Sequence, residues 1–324
     1  MRVLLSVIAE IARAGALLLA LGCALLALMA QGGRVSDRLD VLTHFTPVWF
    51  AGAVIAILVW LVSGRQHRTT PVLALVALLS TLTLMLPEIS AGWAQDRAPA
   101  NSSNLKIVQF NVWGWNGDDS RAARWLIEQD ADILLLEEGS VPLVRLLKVH
   151  YPYVTTCADP AYCGSIIFAK RKPFAKGGLQ TAASNAHLAG AWATFKDERG
   201  TFTAVNVHYV WPYPAGPQQQ QTKRLAQVLH QFQKDRLIVT GDFNSTPWSF
   251  ALRRQDLLFG IERRTRALAT WPATELSRLK IPVLFPILPI DHVYAGDAWR
   301  TVSIQRGPRL GSDHYPVIVQ LARR

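Results

Sequence analysis

Three long apolar stretches near the N-terminus constrain this chain more than any other sequence feature. They cover residues 14–30, 46–62 and 71–87, and each is 17 residues long and contains no charged side chain. This length is at the lower limit for an α-helix that crosses the hydrocarbon core of a bilayer. We therefore predict a membrane anchor with about three transmembrane helices over residues 1–87.

The first stretch is also compatible with a cleaved signal peptide, because Arg2 and Arg13 precede it. The residues that would form the cleavage site, Met29, Ala30 and Gln31, match the required small residues poorly. Two further apolar stretches follow at once. The sequence therefore favours three transmembrane helices over a signal peptide.

Positive charge in the short loops indicates the orientation of the anchor. The loop over residues 63–70 contains Arg65 and Arg68 and no acidic residue, which favours the cytoplasmic side. The loop between the first two stretches contains arginine and aspartate in equal number. With an odd number of spans, we expect a multi-pass protein of the inner (cytoplasmic) membrane whose C-terminal part is extracytoplasmic, in the periplasm of a cell with two membranes.

Cys157 and Cys163 lie in one loop-like segment, TTCADPAYCGS, and are close enough in sequence to form a short disulfide. Such a bond persists only in an oxidising compartment, which agrees with the predicted orientation. Two unpaired thiols are the alternative. The spacing is not C-x-x-C and no histidine lies nearby, which argues against a metal site.

The rest of the chain has the composition of a soluble domain. Residues 88–104 are polar and small without periodicity, which predicts a flexible linker before a domain over residues 105–324. In that domain, many short β-rich segments alternate with a few amphipathic helices. This pattern predicts an α+β fold: a four-layer sandwich of two mixed β-sheets packed face to face and flanked by helices.

The C-terminal part is basic. From residue 101 onward it contains 27 Lys and Arg against 18 Asp and Glu, which accounts for +9 of the net charge of +11. A basic domain favours anionic partners such as phosphodiesters, nucleic acids or acidic lipid headgroups. The alternative is that the charge mainly aids solubility or binds headgroups non-specifically.

Polar side chains interrupt the predicted strands, mostly at strand ends. Such groups are costly to bury without partners, so we expect them to share one site beyond the strand ends. They are Asn111, Glu137, Glu138, Asn206, His208, Asp242, Asn244, Asp291, His292, Asp313 and His314.

Six motifs that contain these residues, FNVW, LLLEE, NVHYV, GDFN, IDHVY and GSDHYPV, occur in this order over most of residues 105–322. Together they resemble the endonuclease/exonuclease/phosphatase superfamily, which includes deoxyribonucleases, neutral sphingomyelinases and inositol-polyphosphate phosphatases. TWPA at residues 270–273 is similar to bacterial membrane-anchored members. The resemblance implies a helix-flanked β-sandwich with a divalent metal site, usually for Mg²⁺, with Mn²⁺ as an alternative.

The resemblance assigns three metal-binding residues. Glu138 is the expected principal ligand, because a carboxylate is a hard oxygen ligand suited to Mg²⁺. Asn111 would help to hold the metal or a phosphoryl oxygen, and Asp313 would support the metal directly or through water. Glu137 occupies a position where the family more often has Gln, so we expect it to add a negative charge beside the metal.

The resemblance also assigns the catalytic residues. Asp242 would orient or deprotonate the attacking water, and Asn244 would hold that water or a phosphoryl oxygen. Asp291 would pair with His314 and fix the tautomer of its ring. His208 would donate to the phosphate in the transition state. A histidine at this position, where abasic-site endonucleases have tyrosine, argues against abasic-site repair.

Two residues are candidates for substrate binding. Asn206 lies on the same strand face as His208, and Trp211 could line the substrate entrance or belong to a rigid loop. The apolar segment KIPVLFPILPI, residues 280–290, could contact lipid, although burial as an edge segment is the simpler interpretation.

The sequence therefore predicts a membrane-anchored hydrolase that is dependent on a divalent metal and cleaves a phosphodiester or phosphomonoester by in-line attack of water. The expected partners are a phosphate-ester substrate, either nucleic acid or a phospholipid headgroup, and the lipid bilayer; no protein partner is inferred. The alternative is a non-catalytic, membrane-bound binding module with the same fold. That alternative predicts the loss of at least one catalytic residue, yet every one is present.

Overall fold

The computed structural model describes residues 2–95, 97–102, 104–157, 164–179, 188–276 and 281–324. The chain forms two compact units. The first unit comprises Met1–Trp93 with the short segments Tyr213–Ala215 and Thr246–Arg253. The second unit comprises Ala94–Pro212, Gly216–Ser245 and Arg254–Arg324.

The first unit consists mainly of long apolar helices. Its helices are α1 (Arg2–Gln31), α2 (Asp37–Asp40), α3 (Thr46–Val62) and α4 (Thr69–Trp93). Three segments that contain α1, α3 and α4 are long and apolar enough to cross a membrane. Alanines fill the space between these helices, whereas many of the leucines face outward. Small residues between helices and large apolar residues outside are typical of helices that pack within lipid.

Helix α4 continues six residues beyond the predicted end of the anchor at residue 87. The helix passes through Pro87 and ends at Trp93. Residues 88–93, which the sequence predicts as linker, are therefore helical. The change in composition at residue 87 marks the point where the sequence becomes less apolar, and the helix continues beyond it. Part of the remaining linker is also ordered, because the amide N–H of Ala98 donates to the carbonyl oxygen of Thr301 at 2.8 Å.

The second unit contains two six-stranded sheets. The strands of the first sheet are β1 (Leu105–Asn111), β2 (Ile133–Glu137), β3 (Tyr153–Thr156), β4 (Ser165–Ala169), β13 (Trp299–Arg306) and β14 (Val317–Arg323). Those of the second sheet are β5 (Ala175–Gly178), β6 (Ala189–Asp197), β7 (Gly200–His208), β8 (Leu237–Asp242), β9 (Glu262–Arg263) and β12 (Asp291–Ala295). The short strands β10 (Glu275–Leu276) and β11 (Ile281–Pro282) pair separately.

Both sheets are mixed. The strand orders are β13-β14-β1-β2-β4-β3 and β5-β6-β7-β8-β12-β9. The pairs β1–β2 and β7–β8 are parallel, and the other strand pairs in these sheets are antiparallel. The helices of this unit are α5 (Asp119–Glu128), α6 (Val141–Leu147), α7 (Pro217–Leu229) and α8 (Phe250–Phe259), the last of which begins in the first unit.

The apolar core lies between the two sheets. Ile107 and Leu135 of the first sheet and Ala204 and Ile238 of the second belong to one buried cluster. A second buried cluster joins the outer face of the first sheet to α5 and α6. The predicted sandwich of two mixed sheets flanked by helices is therefore confirmed.

Strand register brings the polar residues to one edge of the sandwich. Asn111 and Glu137 are paired at the carboxyl ends of β1 and β2. Asp242, at the end of β8, is paired with His208 on one side and with Asp291 on the other. The strand-end polar residues of the sequence therefore converge from both sheets.

Cys157 follows β3 and forms a disulfide bond. Its predicted partner, Cys163, lies outside the described residues, so the Cys157–Cys163 pairing remains a prediction.

Candidate active site

Asp242 is at the centre of the site. Only 1% of the residue is exposed. Its Oδ2 atom accepts a hydrogen bond of 3.1 Å from Nδ2 of Asn111 and lies 3.6 Å from Nε2 of both His208 and His314. One buried carboxylate oxygen is therefore shared by an amide and two imidazoles.

Burial is the main cause of an unusual pKa at Asp242. Desolvation raises the pKa of this carboxyl to about 6; the imidazoles of His314 and His208 oppose the shift, and the charge of Asp291 adds to it. A carboxylate with such a pKa can accept a proton near neutral pH.

Glu138 is the more accessible carboxylate, with 32% of its side chain exposed. It accepts hydrogen bonds of 3.1 Å from Nδ2 of Asn111 and from the backbone N–H of Gly114. Its Oε1 atom lies 3.7 Å from Nε2 of His208. The amide of Asn111 thus bridges Glu138 and Asp242, and its own oxygen accepts from the N–H of Trp113 at 3.0 Å.

Three of the six non-glycine residues with positive φ in the described part of the chain lie around these groups. Trp113, Glu138 and Asn244 have φ angles of +59°, +54° and +48°. Residues other than glycine rarely adopt this backbone conformation. Such strain persists only where the surrounding structure enforces it, and it is common at functional sites.

Gly241, the second-last residue of β8, has a φ of +148°. A Cβ atom at this position would lie 1.9 Å from the carbonyl oxygen of Val207, so only glycine fits. Beyond it, the backbone N–H of Asn244 donates to Oδ1 of Asp242 at 2.9 Å, and Nδ2 of Asn244 donates to the carbonyl oxygen of Tyr209 at 2.8 Å. Asn244 thus orients Asp242.

Asp291 and His314 form a buried ion pair. Nδ1 of His314 lies 2.8 Å from Oδ2 of Asp291. Burial alone would lower the pKa of His314, but the charges of Asp291 and Asp242 outweigh it and raise this pKa to about 10. Burial acts to raise the pKa of Asp291, and the charge and hydrogen bond of His314 reverse this and lower it. The imidazole is therefore a cation at neutral pH.

Asp313 contacts the site through His314 and a tryptophan. Its Oδ1 atom lies 4.0 Å from Nε2 of His314, and its Oδ2 atom accepts from the indole N–H of Trp271 at 3.2 Å. Trp271 in turn packs edge to face against the half-exposed Trp211, with ring centroids 5.8 Å apart. Sequence reasoning gave Trp271 no role, although the TWPA motif was the available signal.

The structure does not support the expected substrate-binding role of Asn206. This residue is fully buried. Its Nδ2 atom donates to the carbonyl oxygen of Leu136 in the opposite sheet at 2.9 Å, and its Oδ1 atom accepts from the hydroxyl of Thr240. Asn206 therefore joins the two sheets. His292 is also structural, as its Nε2 atom lies 2.8 Å from the carbonyl oxygen of Ser245.

Glu137 is also placed differently from the expectation of a negative charge beside the metal. It is fully buried, and its Oε2 atom accepts from Nε2 of Gln109 at 2.9 Å. Desolvation, followed by the charges of Asp291 and Asp242, raises the pKa of Glu137 well above its usual value of 4.5. Burial in the core therefore favours the neutral form of Glu137 over the anion expected beside the metal.

We expect the substitution Glu137→Gln to preserve the fold and to increase stability, relative to the wild type, as pH rises. The folded-state pKa of Glu137 lies above 4.5, so its contribution to stability is complete below pH 4.5 and is lost as pH rises toward the folded-state value. The amide has no such loss. Melting temperatures of both proteins over a pH series test this, and a difference that stays constant with pH would show that Glu137 is not held neutral.

The residues at this edge fit a hard divalent cation. Possible ligand atoms of Asp242, Asp291 and His314 lie within 4.8 Å of one another, and Nδ1 of His314 is paired with Asp291 at 2.8 Å. Oxygen ligands suit Mg²⁺ better than an imidazole does. Glu138 and Asp242 supply carboxylate oxygens on either side of Asn111, and Glu138 is partly open to solvent. A partly exposed carboxylate with room for water suits Mg²⁺.

Residues 108–314 match the model of a family described as the endonuclease/exonuclease/phosphatase family. Among curated proteins, no sequence matches the chain.

Solved structures share the fold. Beta toxin from Staphylococcus aureus with bound magnesium ions is 14% identical, with a TM-score of 0.53 over 67% of this chain and 99% of its own. TDP2 from D. rerio, complexed with single-strand DNA product, is 16% identical, with a TM-score of 0.53 over 67% and 98%. A mannosyl-6-phosphatase from Bacteroides thetaiotaomicron is 17% identical, with a TM-score of 0.53 over 67% and 99%. At these identities the likeness shows the fold alone.

Proposed function

Because the chain belongs to the endonuclease/exonuclease/phosphatase family, we propose that it is a metal-dependent phosphoesterase that hydrolyses its substrate by in-line attack of water. The observation that carries this proposal is the environment of Asp242, a buried carboxylate with a pKa of about 6 between two imidazoles. By contrast, a carboxylate with only a structural role would be expected to have enough hydrogen bonds to offset the cost of its burial.

Each residue has a distinct task in this proposal. Asp242 accepts the proton of the attacking water. The cationic His314, held by Asp291, and the partly exposed His208 stabilise the negative charge that develops on the phosphoryl oxygens. Asn244 holds Asp242 in position.

Glu138, the more exposed carboxylate, would hold the Mg²⁺ ion, with Mn²⁺ as a substitute, and Asp313 would support it through water. A bound divalent ion supplies a Lewis acid that polarises a phosphoryl oxygen. Asn111 keeps Glu138 and Asp242 apart and in fixed orientation through its bridging amide.

An apolar rim, formed by Trp115, Trp211, Leu284 and Phe285, supports a phospholipid headgroup as the substrate. These side chains are 84%, 52%, 90% and 65% exposed. Trp115 follows Gly114, whose N–H donates to Glu138, and Trp211 packs on Trp271. Leu284 and Phe285 precede Ile287, whose N–H donates to the carbonyl oxygen of Trp271. Exposed apolar side chains around a site that handles charged phosphate are typical of contact with a lipid surface.

A nucleic acid is the second candidate substrate. The basic charge of the C-terminal part suits a phosphodiester backbone, and exposed tryptophans can stack on bases. The structural similarity to a protein solved with single-strand DNA is compatible with this candidate. A non-catalytic binding module remains the alternative to both.

The test uses the full-length protein in detergent or lipid nanodiscs. We expect Mg²⁺-dependent hydrolysis of bis-p-nitrophenyl phosphate and of phospholipid vesicles, which EDTA abolishes and which His314→Ala lacks. Supercoiled plasmid DNA is assayed in parallel. Cleavage of the plasmid without hydrolysis of lipid would replace the lipid candidate by the nucleic-acid candidate. Metal binding without activity on any of these substrates would favour the binding module.

We also propose that the three candidate membrane helices make this a multi-pass protein of the inner membrane with an extracytoplasmic catalytic domain. The arginine-rich loop at residues 63–70 and the disulfide at Cys157 support this orientation. We expect a reporter that is active only outside the cytoplasm to be active when fused after Arg324. Activity of a cytoplasmic reporter at that position would reverse the orientation.

A further inference from the structure

Gln109 is a polar residue in the middle of an otherwise apolar buried strand. It is fully buried, two residues before Asn111 in β1. Leu105 and Ile107 precede it on the same face of the strand and belong to the core between the two sheets. The side chain of Gln109 therefore enters the space between the sheets, where an apolar residue would avoid the cost of desolvating an amide.

Both hydrogens of this amide are directed to carboxyl groups. Nε2 of Gln109 donates to Oε2 of Glu137 at 2.9 Å, in the neighbouring strand of the same sheet. It also donates to Oδ1 of Asp291 at 2.8 Å, in the opposite sheet. One NH₂ group therefore links the first sheet to the acid that binds His314.

The two oxygens of Asp291 consequently have different partners. Oδ1 accepts from Gln109, and Oδ2 is paired with Nδ1 of His314 at 2.8 Å. A carboxylate that is held at one oxygen cannot rotate about its terminal torsion without breaking that bond. The direction of the other oxygen, and thus the ring plane of His314, depends on Gln109.

We propose that Gln109 is a positioning residue of the hydrolytic site, which fixes Asp291 and through it the orientation of the His314 ring. The proposal rests on the proposed function. It assigns to Gln109 the task that outer partners of catalytic groups commonly perform, in which the loss of the partner costs about 10-fold to 100-fold in activity. Glu137 completes the arrangement, because its Oε2 atom accepts the second amide hydrogen.

The decisive variant is Gln109→Met, which preserves the length and unbranched shape of the side chain and removes both donated bonds. In the full-length protein we expect kcat on the preferred substrate to fall by about 10-fold to 100-fold. KM and the Mg²⁺ concentration for half-maximal activity should stay within about 3-fold of the wild type, because Glu138 and Asp242 are untouched.

Ile107→Ala is the matched control for a loss of stability. Ile107 lies on the same strand and face and is fully buried, but it belongs to the apolar cluster. This variant should unfold at a lower temperature than the wild type and keep its kcat at temperatures where it is folded. An equal fall of kcat in both variants would reduce Gln109 to a core residue, and so would a wild-type kcat in Gln109→Met.

A second readout does not depend on activity. The Nδ1 proton of His314 should give a downfield NMR resonance, assigned by its absence from His314→Ala, which shifts or broadens in Gln109→Met. If the wild type hydrolyses none of the substrates, the proposed function fails, but this resonance still tests Gln109. If Gln109→Met does not fold, Gln109→Asn, which withdraws the amide by one methylene, should perturb the same resonance. An unchanged resonance would overturn the proposal.

Discussion

Replacement of Asp242 by Asn is expected to reduce kcat by about a thousandfold or more, within the upper range for the loss of a general base. The substitution preserves the shape of the side chain and removes the group that accepts the proton of water. A neutral amide, buried between His208 and His314, lacks the negative charge with which the carboxylate interacts with these imidazoles. Steady-state hydrolysis by the full-length protein, at saturating Mg²⁺, measures the effect.

The pH profile of the wild type provides an independent check of Asp242. Because the pKa of Asp242 is about 6, kcat should fall as pH decreases through 6. The positive charge of a bound metal ion would lower this pKa, and the fall in kcat would then occur at a lower pH. Asp130→Asn is the control, because Asp130 is an exposed residue paired with Lys170. Asp242 would not be the general base if the Asp130→Asn control lost activity in parallel. The same conclusion would follow if Asp242→Asn kept more than about a tenth of the wild-type kcat.

Sequence patterns predicted the fold and much of the candidate site because both depend on strand alternation and strand ends. Asn111, Glu138, His208 and Asp242 follow or end apolar strands, and the parallel pairs bring such ends to one edge. Their convergence follows from the register of the sheets.

Depth within the sandwich could not be predicted in this way. Alternation places Asn206 on the same face as His208, but it does not indicate that one residue is fully buried and the other 22% exposed on its side chain. The position of Glu137 in the core likewise depends on Gln109 and Asp291, which come from distant parts of the sequence. Hydropathy also predicts the end of helix α4 too early, because the helix continues past Pro87 to Trp93.

The second large effect concerns the metal. Replacement of Glu138 by Gln is expected to raise the Mg²⁺ concentration for half-maximal activity by about 100-fold or more, since the principal anionic ligand becomes neutral and Mg²⁺ dehydrates reluctantly. Glu138 is the partly exposed carboxylate, so water can complete the coordination of an ion bound there. Activity against Mg²⁺ concentration and calorimetric titration with Mg²⁺ measure the change in parallel.

Glu128→Gln is the matched control, because Glu128 is an exposed residue at the end of α5 and should leave the titration unchanged. A different outcome would place the ion at another group of residues. If Glu138→Gln binds Mg²⁺ like the wild type while Asp291→Asn does not, the ion lies at the cluster of Asp242, Asp291 and His314. His314 would then have to release its proton to bind the ion, and metal affinity would weaken steeply as pH falls, because proton and metal compete for the same imidazole. Weak dependence on pH between about 6 and 8, with loss of binding in Glu138→Gln, identifies the carboxylate site.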